Sequence, residues 1–277
     1  MNTREITSDS TDSHIDRIYF DNSQIKFKKS DSEDRLLISV IIPLYNEEHS
    51  IKDVIEKTPN HSSYEIIVVD DGSTDNSVKK VKELNDKNIK VIHHDKNKGY
   101  GAAILSGLRN AAGDVIVTID SDGQHNPEEI PKLVKPIINN QADIVIGSRY
   151  MGKFYYKNPF YARIGAYFIN LFLRLLYLQK VNDNQCGFRA FKKDIVKIVK
   201  NLRCLGMGFS TELLFEAAYY KYRIKEVPIS VNARKYGVSY VNLIKITKSI
   251  VSCILFYTLK KLNLNVKSVF SKNWIKR

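Results

Sequence analysis

The sequence predicts an α/β domain built around a mostly parallel β-sheet, and three observations support that prediction. Short apolar runs of the kind that form strands buried on both faces recur between residues 36 and 147. Stretches with helix-start signals lie between these runs. The chain has 277 residues, 43% of them apolar, so it can bury a sizeable core. Strands that alternate with helices are typical of a sheet flanked by helices.

The first two strand–helix units follow one another in chain order. Residues 37–43 form a continuous apolar run that predicts a strand, and a helix is predicted over residues 47–57. A second buried strand is predicted over residues 65–70. The helix after it is predicted over residues 75–84, because Asp75 is a favourable N-cap residue.

The same alternation continues through three further strands. A strand is predicted at residues 89–93, and two glycines then open a helix over residues 99–112. The strand at 114–120 precedes a helix over 127–138, whose leading proline suits the first turn. The last strand of this half covers residues 142–147. Ligands of parallel sheets bind beyond the carboxyl ends of the strands, so we expect the functional site there.

The second half of the chain contains two apolar stretches that also carry basic residues. Two arginines interrupt residues 160–178, and four lysines interrupt residues 241–262. Neither stretch offers 18 uninterrupted apolar residues, so neither is a convincing transmembrane span. Both suit amphipathic helices that lie in a membrane interface. The alternative is that both are ordinary core helices of a second subdomain.

The net charge of +13 is distributed unevenly along the chain. Residues 1–35 carry −2, residues 36–147 carry −5, and residues 148–277 carry +20, from 25 Lys and Arg against 5 Asp and Glu. The basic half contains no recognised nucleic-acid motif, so we expect an anionic membrane surface and no nucleic acid as its partner. Three cysteines without a CxxC pair indicate a reducing compartment and argue against a disulfide framework or a cysteine-rich zinc site.

Acidic and amide side chains follow three of the predicted strands. The first strand leads into PLYNEE (43–48) and the second into DDGS (70–73), and the fourth ends with Asp120, Asp122 and Gln124. Two carboxylates at positions i and i+2 with a carboxamide at i+4 supply the oxygen ligands that Mg²⁺ or Mn²⁺ prefers. Any one of these segments alone would be explained as a turn or helix cap. Their coincidence at one edge of the sheet predicts a site.

Seven motifs in this order give the chain a family resemblance: VIIPLYNEE (40–48), IIVVDDGSTD (66–75), NKGYGAAILSGL (97–108), TIDSDGQHNPEEI (118–130), IVIGSRY (144–150), NDNQCGFRAF (182–191) and EVPISVNARKYGVSY (226–240). The resemblance that they carry extends over about residues 36–240. The chain resembles glycosyltransferase family 2, the inverting enzymes with the Rossmann-like GT-A fold. Within that family it is most similar to the polyprenyl-phosphate (dolichol-phosphate) sugar transferases.

The resemblance implies a role for each matching residue. The residues expected to bind the nucleotide sugar are Pro43, Tyr45, Asn46, Glu47, Asp70, Asp71, Asp120 and Arg149. The residues expected to hold Mg²⁺ or Mn²⁺ on the donor diphosphate are Asp120, Asp122 and Gln124. The residues expected to meet phosphates of donor or acceptor are Arg234, Ser239 and Lys235, the last because Tyr240 replaces a lysine that many relatives have. The residues expected to take part in catalysis are Asp122, Arg149 and Asp183, the last as a base or acceptor-positioning residue.

The function that the resemblance implies is inverting, metal-dependent transfer of a hexose from a nucleotide sugar to a polyprenyl (dolichyl) phosphate. GDP-mannose and UDP-glucose are the expected donors, and UDP-N-acetylglucosamine remains open. We expect a peripheral or monotopic protein on the cytoplasmic face of a membrane. The first alternative is a family 2 enzyme that acts on a soluble glycan or protein, and the second is a non-catalytic basic scaffold.

These expectations divide the chain into four parts. Residues 1–35 are predicted to be a polar, mobile leader, and residues 36–150 the half that binds the nucleotide sugar. Residues 151–240 are predicted to bind the acceptor and to include the amphipathic helix at 160–178. Residues 241–277 are predicted to form a basic amphipathic C-terminal helix and tail.

Overall fold

A seven-stranded sheet lies at the centre of the computed structural model. The model describes the following residues: 18–21, 24–27, 36–59, 63–152, 160–199, 202–236 and 243–262. The strands in chain order are β1 (Ile18–Asp21), β2 (Gln24–Phe27), β3 (Ile38–Leu44), β4 (Tyr64–Asp70), β5 (Ile89–His93), β6 (Val115–Thr118), β7 (Ile144–Ser148), β8 (Arg189–Lys192) and β9 (Ile224–Pro228). The first two form a separate antiparallel pair, and the other seven form the sheet.

The helices occupy the connections between these strands. In chain order they are α1 (Ile51–Lys57), α2 (Ser77–Glu83), α3 (Tyr100–Asn110), α4 (Ile130–Ile138), α5 (Phe160–Tyr177), α6 (Val196–Val199), α7 (Phe209–Tyr219) and α8 (Leu243–Lys261). α3 packs closely on β3, because a Cβ at Gly107 would collide with the Ile41 side chain. The strands β3, β4, β6 and β7 are buried along nearly their whole length, as their Val and Ile content predicts.

The sheet is parallel except at one strand. Its order is β5-β4-β3-β6-β8-β7-β9, and only β8 runs antiparallel to its neighbours β6 and β7. This arrangement confirms the predicted mostly parallel sheet with flanking helices. β8 and β9 come from the second half of the chain, where the sequence predicted no strand, so both halves contribute to one sheet.

A crevice is expected at the carboxyl ends of β3 and β6, because the strand order reverses there. The chain leaves β3 for β4 and β5 on one side and returns through β6 on the other. Parallel sheets bind their ligands at such a switch point. Two predicted boundaries shift at this edge: β6 ends at Thr118 instead of residue 120, and the helix after it begins as a 3-10 turn at Pro127–Glu129. Asp120 therefore lies beyond the sheet, on the loop above it.

The helices α5 and α8 confirm the two predicted helical segments and pack against each other. The Tyr177 hydroxyl donates to the Tyr257 carbonyl at 3.0 Å across their contact. Large apolar side chains nevertheless remain exposed on or just after both helices: Tyr167, Phe168, Leu175, Leu178, Val251, Leu255 and Leu262. Within the described part of the chain, no helix combines the length and the apolar character that crossing a membrane requires.

Candidate active site

The loop after β3 is joined to the loop after β4 by the side chain of Asn46. This residue has φ of 54°, a left-handed conformation that asparagine tolerates better than most residues. Its Oδ1 accepts from the Thr74 backbone N–H at 2.8 Å, and its own N–H donates to Ser73 Oγ at 3.1 Å. The predicted contact of Asn46 with the nucleotide stays a prediction.

Asp70 and Asp71 at the end of β4 are both buried and hydrogen-bonded. Asp71 accepts from the backbone N–H groups of Lys98 and Gly99 at 2.8 Å each, and its Oδ1 lies 2.7 Å from His94 Nδ1. Asp70 Oδ1 accepts from the Ser73 N–H at 2.9 Å. Asp71 therefore fixes the glycine-containing loop before α3, and a contact of either carboxylate with the donor stays a prediction.

Gly72 explains why this turn can be so tight. Its φ is +79°, and a Cβ there would lie 2.8 Å from the backbone of Lys96. Only glycine combines that conformation with so close an approach of two backbones. The turn brings the loop after β4 against the loop before α3, which Asp71 then holds by hydrogen bonds.

Glu47, Asp122 and Arg234 meet at the centre of the crevice. The Arg234 guanidinium forms a short ion pair with Glu47, and its Nη1 lies 3.6 Å from Asp122 Oδ2. Burial raises the pKa of Glu47, and the charge of Asp122 adds to the effect while Arg234 opposes it. Burial and the charge of Asp120 likewise raise the pKa of Asp122. The cluster therefore has more negative charge than its surroundings favour, and Arg234 supplies part of the compensation.

Asp120 is held from three sides and keeps an exposed carboxylate. The buried hydroxyl of Tyr100, at the start of α3, hydrogen-bonds to it. His125 Nε2 lies 3.6 Å from its Oδ2, and a Cβ at Gly187 would collide with the carboxylate. The Asp120 side chain is 31% exposed. It can therefore reach a ligand while its orientation is restricted by its neighbours.

Gln124 completes the turn that carries the two aspartates. Its backbone N–H donates to Asp122 Oδ1 at 3.0 Å, which orients that carboxylate. Its side-chain nitrogen donates to the Asn232 carbonyl at 3.1 Å, and the Asn232 N–H donates to the Gln124 carbonyl at 2.9 Å. These bonds attach the loop after β9, which carries Arg234, to the predicted metal-binding turn.

Arg149 and Asp183 form a two-point ion pair at the end of β7. Arg149 donates from Nε to Asp183 Oδ2 and from Nη2 to Asp183 Oδ1, both at 2.7 Å, and its backbone N–H donates to Oδ2 at 2.9 Å. Asp183 is 1% exposed, and its own N–H donates to Glu226 at 2.8 Å. The sequence offered two roles for Asp183, a base or an acceptor-positioning residue. Because both its oxygens accept from Arg149, this geometry favours positioning, and either role stays a prediction.

Arg189 supports the loops around the site, and the sequence analysis did not single it out although it lies within the NDNQCGFRAF motif. It is buried, and its guanidinium donates to the carbonyls of Cys186, Asn184 and Ser210 at 2.7, 2.8 and 3.0 Å. It thereby shapes the loop that presses Gly187 against Asp120. Tyr100 and Glu226 were missed in the same way, because their partners Asp120 and Asp183 are distant in the sequence. His125 lies in the same motif as its partner Asp120, but a lone histidine there did not indicate a role.

The remaining predicted residues are placed less centrally. Pro43 is a buried residue of β3, and Tyr45 is half-buried just beyond it. Lys235 is exposed and lines a cavity of about 440 Å³ beside Asp122. Ser239 lies outside the described residues. The predicted roles of these four residues stay predictions.

The donor set of this turn fits a hard divalent cation. Asp120 and Asp122 offer carboxylate oxygens, and the amide oxygen of Gln124 is the atom of that side chain suited to a metal. Burial raises the pKa of Asp122, and repulsion by the Asp120 carboxylate adds to the effect. Arg234 already faces Asp122, which shows that the position favours positive charge.

A mostly parallel sheet with carboxylates at its switch point, and with Arg234 beside one of them, is the arrangement expected of a glycosyltransferase of the GT-A fold. The chain belongs to glycosyl transferase family 2, whose family model matches residues 39–199. That region includes every predicted donor and metal residue. The phosphate-binding candidates Arg234, Lys235 and Ser239 lie beyond it.

Several curated relatives support this membership. The chain is 37% identical over 222 residues to the UDP-N-acetylglucosamine–dolichyl-phosphate N-acetylglucosaminyltransferase of Methanococcus voltae, covering 73% of this chain and 88% of that protein. It is 38% identical over 210 residues to the dolichol-phosphate mannosyltransferase of Pyrococcus furiosus, covering 73% of this chain and 58% of that protein. It is also 30% identical to the undecaprenyl-phosphate 4-deoxy-4-formamido-L-arabinose transferase of Proteus mirabilis, over 78% of this chain and 67% of that protein.

Solved structures confirm the fold. Glucosyl-3-phosphoglycerate synthase of Mycobacterium tuberculosis, crystallised with Mn²⁺, UDP and glucosyl-3-phosphoglycerate, matches with a TM-score of 0.61 at 22% identity, covering 83% of this chain and 81% of that chain. A crystal structure of the same enzyme with Mg²⁺ and UDP matches with a TM-score of 0.60 at 21% identity, covering 83% of this chain and 80% of that chain. At this level of identity the likeness establishes the GT-A fold alone.

Replacing Arg234 with alanine is expected to raise the affinity of the carboxylate cluster for Mn²⁺, because the guanidinium no longer competes for Asp122. The two side chains are 22% and 16% exposed, so we expect a gain of about fivefold, equal to about 1 kcal/mol. Titration with Mn²⁺ followed by electron paramagnetic resonance measures it. Lys235→Ala removes a neighbouring positive charge without these contacts and serves as the control. An unchanged or weaker affinity in Arg234→Ala would contradict the competition.

Asp183→Asn is expected to lower the rate of sugar transfer at least about tenfold, because Arg149 loses its charged two-point partner. Asp143→Asn is the matched control. Asp143 accepts from Arg223 Nε and Nη2 at 2.9 Å each, before the start of β7 and so at the opposite edge of the sheet.

Arg223 holds the pKa of Asp143 well below its usual range. That pair therefore stabilises the fold at neutral pH and loses its contribution only in acid. We expect Asp143→Asn to lower the urea midpoint without lowering kcat/KM. Equal losses of kcat/KM in the two variants would contradict a specific role for Asp183.

Proposed function

We propose that this glycosyltransferase transfers a sugar from a nucleoside diphosphate sugar to a polyprenyl phosphate, with inversion at the anomeric carbon. The observation that carries the proposal is the group of two aspartates at the switch point, with Arg234 beside Asp122 and with Arg149 held by Asp183 at the end of β7. Carboxylates that hold a cation, together with fixed guanidinium groups, suit a substrate rich in phosphate. The names of three relatives, each a transferase to dolichyl or undecaprenyl phosphate, support the choice of acceptor.

Asp120, Asp122 and Gln124 would hold the Mg²⁺ or Mn²⁺ ion. When bound, such an ion neutralises the negative charge that grows on a departing diphosphate. The protein's own contribution is to orient the ligands in advance. Tyr100 and His125 restrict Asp120, and the Gln124 N–H restricts Asp122. Because these side chains are already held in place, less free energy is lost in ordering them when the metal ion binds.

Arg149 would bind a phosphate group of the donor or acceptor. Its orientation is set by Asp183, whose two oxygens occupy one edge of the guanidinium. The Arg149 side chain is still 20% exposed, so part of it can contact a ligand. Arg234 would exchange Glu47 and Asp122 for phosphate oxygens when substrate arrives, because the metal then takes over the neutralisation of Asp122.

The acceptor explains why a free catalytic base is dispensable. A polyprenyl phosphate is an anion at neutral pH, so its oxygen can attack without losing a proton to the protein. The buried and paired state of Asp183 agrees with that chemistry. An acceptor with a neutral hydroxyl, such as a soluble glycan or a protein side chain, would need a carboxylate free to accept a proton. That alternative is therefore less well supported by this site.

The sugar remains to be established by experiment. The relatives are named for N-acetylglucosamine, mannose and a modified arabinose, so their names do not agree on one donor. GDP-mannose, UDP-glucose and UDP-N-acetylglucosamine are the donors that we propose to test first.

A panel of nucleotide sugars tests the proposed reaction directly. The full chain is incubated with each donor, a short-chain polyprenyl phosphate and Mg²⁺ or Mn²⁺, and the glycolipid product is identified by mass spectrometry. We expect one donor to give a polyprenyl-phosphate sugar. Asp122→Asn should reduce this transfer by at least about a hundredfold, because a metal-binding carboxylate becomes a neutral amide. Transfer to a soluble glycan but not to the lipid phosphate would favour the alternative acceptor.

The acceptor also requires contact with a membrane surface. The exposed apolar residues of α5 recur at helical spacing: Tyr167 and Phe168, then Leu175, then Leu178 just after the helix end. Exposed basic residues accompany them, including Arg174 and Lys180. We propose that α5 and α8 rest on an anionic leaflet as a peripheral attachment, with the cytoplasmic face as the expected side.

Charge reversal on these helices tests the membrane contact. The double variant Arg174→Glu and Lys248→Glu should bind anionic phosphatidylglycerol vesicles at least about tenfold more weakly, since each basic residue near the surface contributes about 1 kcal/mol. Lys79→Glu and Lys82→Glu on α2 change the net charge equally and serve as the control. Binding is measured by co-sedimentation at several salt concentrations. Equal weakening in the two double variants would refute a specific membrane-facing side.

A further inference from the structure

A buried cluster of two cysteines and a glutamate lies where the loop before α7 meets α8. Cys204 comes from that loop, Glu212 from α7 and Cys253 from α8, and they are 4%, 2% and 3% exposed. The ligand atoms of all three lie within 4.8 Å of one another. None of them belongs to the carboxylate site described above. The absence of a CxxC pair in the sequence argued against a cysteine-rich zinc site, but the fold brings together two cysteines that are 49 positions apart.

The spacing of the two sulfurs matches that of the sulfur ligands in a tetrahedral zinc site. The two Sγ atoms are 3.7 Å apart. A tetrahedral Zn²⁺ ion with Zn–S bonds of about 2.3 Å separates its sulfur ligands by about 3.8 Å. The sulfurs are therefore already at the spacing that the ion requires.

The glutamate is oriented in the way that metal-binding carboxylates are. Its Oε2 accepts from the backbone N–H groups of Arg203 and Cys204 at 2.8 and 2.7 Å. Hydrogen bonds of this kind fix a carboxylate before a metal arrives. The carboxylate of Glu212 is therefore held in place beside the two sulfurs.

The charges around the cluster also balance with a divalent ion. Two thiolates and one carboxylate carry a charge of −3, and Zn²⁺ together with the Arg203 guanidinium restores neutrality. The Arg203 guanidinium lies 3.9 Å above the ring of Phe256, next to Cys253 in the helical turn. Burial raises the pKa of Glu212, and contact with Cys204 and burial raise that of Cys253. A bound cation would reverse both effects, because it favours the charged ligands.

We propose that Cys204, Cys253 and Glu212 bind one Zn²⁺ ion, with water as the fourth ligand. The ion would fasten α8 to the loop over residues 202–208. That loop in turn supports the start of α3, because the Leu205 carbonyl accepts from the Ala102 N–H at 3.0 Å. The site would thus connect the proposed membrane helix to the helix whose Tyr100 holds Asp120.

Cobalt substitution tests the proposal without depending on activity. The reduced full chain carrying Asp122→Asn, which removes the hard-metal site, is stripped with a chelator and titrated with Co²⁺. We expect one Co²⁺ per chain, with the charge-transfer absorption that thiolate ligands produce, and its loss when Zn²⁺ is added. Cys204→Ser and Cys253→Ser should each abolish this absorption. Cys186→Ser, which removes the remaining buried thiol, should keep it.

A variant of Glu212 tests whether the carboxylate is the third ligand. Glu212→Gln retains an oxygen for the backbone hydrogen bonds but loses the charge, and should weaken Zn²⁺ binding at least about tenfold. Unchanged affinity in that variant would overturn the three-ligand assignment. Absence of thiolate-to-Co²⁺ absorption in the folded chain with all three cysteines would overturn the site itself. So would a Cys204–Cys253 disulfide in the purified chain whose reduced form takes up no metal.

Discussion

The constraint on which the rest of the site depends is the repulsion among carboxylates gathered at one edge of the sheet. Glu47 follows β3 and the pair Asp120 and Asp122 follows β6, and these two strands are hydrogen-bonded neighbours. The topology therefore brings their charges together in a partly dehydrated crevice. The raised pKa values of Glu47 and Asp122 are the consequence. Such a cluster is stable only beside positive charge, which makes the edge a place for a cation and for arginines.

The second half of the chain reaches this edge of the sheet because β8 is inserted between β6 and β7. β8 runs antiparallel between β6 and β7, so the loop before it lies at the same edge as the aspartates. That loop carries Asp183, which orients Arg149, and Gly187, which presses on Asp120. The loop after β9 brings Arg234 to the same place. The inserted strand β8 and the loop after β9 thus bring residues of the second half of the chain to the same edge of the sheet as the aspartates.

The sequence predicts the parts of this arrangement that depend on local pattern. Apolar runs predicted five of the seven strands of the sheet. The aspartates after these strands were identified because the carboxyl ends of parallel strands meet at the same edge of a sheet. The short strands β8 and β9 escaped prediction, since four or five residues that include Arg189 or Lys225 do not show an apolar period. The sequence left two roles open for Asp183, a base or an acceptor-positioning residue, for another reason. Its ion pair with Arg149 joins residues 34 positions apart, and only the fold shows that both oxygens are occupied.

The basic residues of the second half of the chain fall into two groups, those paired within the protein and those exposed to solvent, and only the second group can attract a membrane. Several of these cations are committed within the protein: Arg149 to Asp183, Arg189 to three carbonyls, Arg223 to Asp143, and Lys260 to Glu216 at 2.9 Å. These residues orient the site or fasten helices, and a bilayer would not attract them. The attraction must come from exposed cations such as Arg174, Lys180 and Lys248. Each acts beside exposed apolar side chains, so electrostatic attraction and apolar insertion would reinforce one another at one surface. The net charge of residues 148–277 therefore overstates the affinity of the protein for anionic lipid. The positions of the exposed cations determine which side of the protein can meet the acceptor.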